Sequence, residues 1–335
     1  MTRAATFLLA LLLLVGCGQA RTGPADGDDT TTIPVGKTEI PADAVVWAQG
    51  STIHVDDRQV DVGGEVDRLA VARGGIYFSR GGQIWFTDLD RVERTGIDVF
   101  LEVHTSKDGR YLGAVEFDHG PEDQFGTKRA AVIVVDTTTG KTVLRDDTLM
   151  GDLKKDDLAD LYEDAEPHVI GFNADNIYAQ TAEGNDVLRY PLDGSKPENL
   201  GDQAEPAVDD PGGRLVGTTV HDGVVTVQDD PYQSDSQGQL SPSGRTVLVG
   251  AGNGRLRAFD TATGQPLALS LDQPGFVLGA WTGPDTFYGV ATSKGYHPAG
   301  IFSCDRDQAR CTEVVPASAM SRDPVLMPAG NQIGM

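Results

Sequence analysis

Three cysteines and six histidines supply most of the chain's reactive side chains, and their spacing narrows what they could do. Cys17 closes the run Leu14, Val15, Gly16, Cys17, where a small residue precedes a thiol that can accept a diacylglyceryl group. Cys304 and Cys311 flank a polar turn between two short apolar-alternating runs, Gly300 to Asp305 and Cys311 to Val315. That pattern predicts a hairpin with a disulfide across it, and closing so small a loop is worth about 2–3 kcal/mol on the chain-entropy account. Their spacing fits no zinc finger and no histidine pair lies nearby, so neither metal nor redox chemistry is expected of them. His119, Glu122 and Asp123 fall in Asp118 to Arg129, where a two-residue turn would connect the flanking strands. Long connections in compact domains often carry function. Tyr296 and His297, beside Lys294 in Ser293 to Ala299, are of types that stack on and hydrogen-bond a ligand. His168, next to Pro167, reads as a satisfied histidine at the start of an inner strand and is given no role. The chain has no Gly-x-Ser-x-Gly elbow, phosphate loop, His-Glu-x-x-His helix, haem motif or EF-hand loop. No cofactor and no metal are therefore expected. Asp and Glu are abundant, which leaves paired-carboxylate hydrolysis open without pointing to a pair.

The elements that must place these residues begin with a leader. Arg3 followed by the apolar stretch Phe7 to Val15 has the length of a signal-peptide core and is too short for a lasting membrane helix. With Leu14 to Cys17 it resembles the leader of bacterial lipoproteins. The resemblance implies cleavage after Gly16, lipidation of Cys17 and residence on the extracytoplasmic face of the cell membrane, with two or three acyl chains giving a durable anchor. Residues 1–16 are thus expected to be the leader, 17–40 the lipidated end and a flexible spacer, and 41–335 the folded body. The spacer, with Gly23, Pro24, Asp26, Gly27, Asp28 and Thr30 to Thr32, lacks apolar periodicity and cannot offset the cost of chain ordering.

Charge excludes some partners. The chain carries 27 basic and 50 acidic residues, a net charge of −23, which argues against nucleic acid and anionic lipid. Contact with a membrane is expected only through the N-terminal lipid.

From Val45 onward, short apolar or alternating runs are punctuated by Gly, Asp, Asn and Pro, with almost no helical periodicity. This is an all-β pattern, and the runs recur with a period of about 40 residues, as in a propeller of four-stranded blades. Gln239 to Leu271 is the clearest unit, with turns at Ser241 to Arg245 and Thr263, Gly264. Phe100 to Arg145 matches it, with turns at Ser106 to Arg110 and Thr137 to Lys141. Asp136 and Asp260 are placed to hydrogen-bond the backbone that follows them. Weaker units lie at Leu69 to Gly96, Val169 to Leu200, Pro206 to Asp229 and Phe276 to Pro316. The last unit joins Val45 to Val62 with a strand near Pro324 to Pro328, so that the two chain ends share one blade and seal the ring. Seven blades fit best, within a range of six to eight. Asp152 to Glu166 reads as a short helix over the ring.

These units resemble bacterial WD40-like and YVTN-type propellers, and the Asp136 to Gly140 and Asp260 to Gly264 turns resemble those of quinoprotein-type repeats. The likeness implies architecture only, because neither unit ends in Trp-Asp and no tryptophan follows Gly140 or Gly264. In such rings, the connections between second and third strands share a rim with those between blades. Asp118 to Arg129 and Ser293 to Ala299 both fall on that rim. The expectation is a non-catalytic platform binding an exported protein, a peptide or a cell-envelope glycan. The alternative is an extracytoplasmic hydrolase, lyase or oxidoreductase with its site at the central channel.

Overall fold

A computed structural model describes residues 31–37, 39–99, 102–122, 126–150, 167–181, 186–202, 206, 208–209, 211–229, 236–250, 256–269, 275–293, 297–328 and 332–333. Cys17 with the rest of the expected leader, and the expected helix at 152–166, lie outside them. No helix among the described residues is long and apolar enough to cross a membrane.

Among the described residues, six antiparallel sheets form a β-propeller. The second sheet pairs Arg68–Ala72, Gly75–Arg80, Gln83–Thr87 and Val92–Asp98 in sequence order. The third pairs His104–Thr105, Tyr111–Glu122, Lys128–Asp136 and Lys141–Asp146, and the fourth His168–Phe172, Asn176–Gln180, Val187–Pro191 and Glu198–Gly201. The sixth pairs Gly275–Trp281, Thr286–Thr292, Pro298–Asp305 and Arg310–Val315. The first sheet closes the ring: Val46–Gln49, Thr52–Val55 and Arg58–Asp61 are joined by Val325–Leu326, through the pairs Ala48 with Leu326 and Gln49 with Val325. The Gln49 side chain reinforces this seam, donating to the carbonyls of Ser321 at 3.2 Å and Asp323 at 2.7 Å and accepting from the Ser321 N–H at 2.9 Å. The expected union of the chain ends in one blade is what the strands form.

The fifth sheet departs from expectation. Arg214–His221 and Val224–Gln228, read from sequence as part of a separate unit, instead join Ser236–Leu240, Thr246–Gly250 and Leu256–Asp260 in one five-stranded sheet. Among the described residues the ring therefore has six sheets, the low end of the expected range. Val225 packs with Val247, Val249 and Phe259, so the extra hairpin covers a face of its own sheet as a neighbouring blade would. The Pro206 to Asp229 segment supplies two strands where a blade needs four, which is why it is absorbed.

Inner strands such as Gly75–Arg80, Lys128–Asp136 and Thr286–Thr292 are buried on both faces, while outer strands such as Val92–Asp98 and Arg310–Val315 are largely open to solvent. Shared apolar clusters fill the gaps between the first and second, second and third, third and fourth, fifth and sixth, and sixth and first sheets. Between the fourth and fifth sheets the described residues form no shared cluster; each packs on its own side, around Tyr178 and Val208 or around Val247 and Phe259.

Turns carry polar stitching. Asp136 accepts from the N–H groups of Thr138 at 2.8 Å and Thr139 at 3.1 Å, and Asp260 accepts from that of Thr263 at 2.9 Å, as their positions in the repeat predict. In the Ser106 to Arg110 turn, Asp108 accepts from Ser106 Oγ at 2.7 Å. The matching turn has Ser243 in that place, and its carboxylate comes from the neighbouring sheet: Asp285 accepts from the hydroxyls of Ser241, Ser243 and Thr246 at 3.1, 2.7 and 2.9 Å. Arg245 Nε adds a fourth bond at 2.9 Å.

Cys304 and Cys311 are directly opposed across the last hairpin of the sixth sheet and form a disulfide.

Candidate functional site

The rim expected to bind a partner is built by the ends of second strands and the starts of first strands. The second strand of the third sheet runs twelve residues, Tyr111–Glu122, against five to seven for the second strands of the second, fourth and sixth sheets. It starts, like the others, directly after its turn, so the excess lies at the rim. Asp118 to Arg129 was expected to be a loop; most of it is the continuation of a hairpin, with Lys128 paired to Glu122 and Arg129 to His119. At about 3.3 Å per residue, the extra half-dozen residues form an arm reaching roughly 20 Å. A register shift between Lys128 and Arg129 and another between Arg129 and Ala131 bend the arm. Arg129, buried at the arm's base, is anchored by Nη2 to the Asp147 carbonyl at 3.0 Å and by Nε to the Asp147 carboxylate at 3.2 Å.

Glu122 is exposed at the end of the arm's first strand, and His119 lies within that strand. His297 is exposed beside Thr292 and Pro298, its carbonyl accepting the Ser293 N–H at 2.9 Å. Asp123 and Tyr296 lie outside the described residues. The arm and the His297 turn occupy corresponding connections of two different sheets, the third and the sixth.

Nearer the axis, the starts of three successive first strands assemble a group that was not selected from sequence. Glu102 and His104 precede and open the first strand of the third sheet, His168 opens that of the fourth, and Arg68 that of the second. His104 Nε2 lies 3.5 Å from Glu102 Oε2. Burial pushes the Glu102 carboxyl up, but the nearby His104, His168 and Arg68 hold it below its ordinary value. His168 is half-buried, and it belongs to this group rather than standing alone as the sequence suggested. The available signal was Glu102-x-His104: two residues apart in an extended strand, such side chains share one face.

Carboxylates with displaced pKa values all lie low among the described residues. Burial raises Asp108, Asp136 and Asp285, yet hydrogen bonds from neighbouring hydroxyls, backbone N–H groups and arginines more than reverse it. Asp61, Asp193 and Asp260 are lowered by the backbone N–H groups of Gly63, Ser195 and Thr263. A general acid needs the opposite displacement. No group of three or more His, Cys, Asp or Glu side chains among the described residues is placed to hold a metal ion.

No family model matches this chain. No curated protein matches it either. Among solved structures it is similar to the dihydro-heme d1 dehydrogenase NirN, at 11% identity and a TM-score of 0.44 over 86% of this chain and 69% of that one. It is also similar to apo AztD from Citrobacter koseri, at 11% identity and a TM-score of 0.40 over 91% and 90%. An oligogalacturonate lyase in complex with manganese aligns at 10% identity and a TM-score of 0.33 over 91% of each chain. The ring itself rests on the strand pairing of this chain.

Proposed function

We propose that this protein is an exported, lipid-anchored propeller whose rim is a non-catalytic docking platform for an exported protein, a peptide or a cell-envelope glycan. The observation that carries the reading is the hairpin arm at Tyr111–Glu122 and Lys128–Asp136, which extends past the ring where the neighbouring hairpins stop. An arm of this kind offers a partner backbone edges and side chains without enclosing it. The depressed carboxylates agree with docking, since their oxygens are committed to turns and to the seam between sheets. The anchor is supported by the leader resemblance at Leu14 to Cys17 and by the length of chain at 18–30, enough to hold the body clear of lipid even though Ile33 and Ile40, expected in the spacer, are buried in the fold.

The Glu102–His104 pair favours a second reading, a hydrolase, lyase or oxidoreductase at the channel, in which Glu102 would orient the imidazole as a base. The two readings separate by substitution. Replacing His119 and Glu122 together by Ala is expected to lower partner capture without changing thermal stability, while His104→Ala leaves capture intact. Capture unaffected by the double change but abolished by His104→Ala would move the function to the channel.

A further inference from the structure

At the opposite end of the ring, where first strands turn into second strands, lies a cavity of about 660 Å³. It is bounded by Arg73 and Lys107 from the second and third sheets, by Ser243 and Thr282 from the fifth and sixth, and by the segment Glu39 to Ala44 that leads into the first. Its volume falls within the range of small-molecule sites, about 300–1,000 Å³.

The walls have an unusual chemistry. Five prolines line them, Pro41, Pro211, Pro242, Pro284 and Pro328, together with Trp281. Proline contributes a ring and no N–H, and its fixed φ leaves little backbone freedom to lose when a guest enters. Several polar atoms on the walls are already engaged. Tyr288 Oη donates to the Val46 carbonyl at 2.8 Å, Trp281 Nε1 to the Gly212 carbonyl at 3.0 Å, and Ser243 Oγ to Asp285 at 2.7 Å. Arg73 Nε donates to the Asp108 carbonyl at 2.8 Å, and Lys107 Nζ lies 3.8 Å from Asp209. Glu39 and Asp108 balance Arg73 and Lys107, so the walls present no net charge. Arg73, Lys107 and Asp108 are half-exposed, so the charged groups keep their contact with solvent while the prolines and Trp281 offer apolar surface on which a flat guest can pack.

We infer that this cavity binds an uncharged, ring-bearing small molecule, held by the prolines and Trp281 at the end of the ring away from the docking rim. The site is independent of the docking reading, since it shares no residue with the arm.

The test is ligand-observed fluorine NMR with the full chain and 5-fluoroindole as probe. The 5-fluoroindole resonance should broaden with the unaltered protein. Ala42→Trp and Thr282→Trp, which place bulk at the cavity wall from two different elements, should each weaken binding by about tenfold. Val314→Trp, on an exposed outer strand of the sixth sheet, should change nothing. Circular dichroism identifies any variant that fails to fold, and either wall variant suffices. Binding unaltered in a folded wall variant, no binding to the unaltered protein, or tighter binding of 5-fluoroindole-2-carboxylate than of 5-fluoroindole would overturn the inference.

Discussion

Val225 donates its backbone N–H to the carbonyl of Gly264 at 2.8 Å, and Ile33 makes the same bond, also at 2.8 Å, to Gly140. The two glycines end equivalent Asp-Thr-x-x-Gly turns in the two clearest repeats. In one case an extra hairpin docks on the turn, and in the other the segment entering the ring does. The turn is thus a docking point for an extended strand inside the fold.

Substitution at that point has a defined cost. Gly264 has φ +68°, and a Cβ there would lie 2.5 Å from Val224 Cγ1 and from the Val225 carbonyl oxygen. Gly264→Ala should destabilise by about 2–3 kcal/mol, combining left-handed backbone strain with displacement of the hairpin. Urea unfolding measures it, and a change under about 0.5 kcal/mol would show that the hairpin does not rest on the turn.

Asp285 is the polar keystone between the fifth and sixth sheets. Asp285→Asn removes a buried charge acceptor from three hydroxyls and Arg245 and should cost about 2–4 kcal/mol at pH 7. Its folded pKa is depressed, so the stabilisation is complete above the unfolded value of 3.8 and is lost as pH falls through the folded value. The gap in stability between the unaltered protein and Asp285→Asn should hold between pH 7 and about pH 5 and narrow below about pH 4. A gap that widens in acid contradicts the assignment.

The seam between the fourth and fifth sheets should open first. Its described residues share no apolar cluster, whereas Ala130, Val132 and Val134 are fully buried between the third and fourth. Hydrogen exchange should therefore release amides of Glu198–Gly201 and Arg214–His221 well before those of residues 130–136. Simultaneous release would mean that the ring opens as one unit.

Much of this fold was legible because propeller repeats write their turns into sequence. Ser106 to Arg110, Ser241 to Arg245, Asp136 and Asp260 stand where the repeat places them, and the strands near Val46 and Val325 meet as the sealing rule requires. The blade number was less legible. Arg214–His221 and Val224–Gln228 have good strand pattern, but pattern does not reveal which sheet a two-stranded piece will join. Asp118 to Arg129 misled in another way: it read as a loop longer than the two-residue turn that would suffice, while cross-strand pairing continues as far as Glu122 with Lys128. His168 could not be grouped with the Glu102-x-His104 pair from sequence, because only the packing of neighbouring sheets brings the starts of their first strands together.

Site-specific photocrosslinking in intact cells tests whether the rim docks a partner, with the photoreactive residue placed in turn at Glu122, at His297 and at the exposed outer-strand position Val314. The account predicts a discrete adduct from positions 122 and 297, diminished by excess soluble propeller added as competitor, and none from 314. Equal capture from all three positions, or capture from 314 alone, would contradict a docking function for the rim.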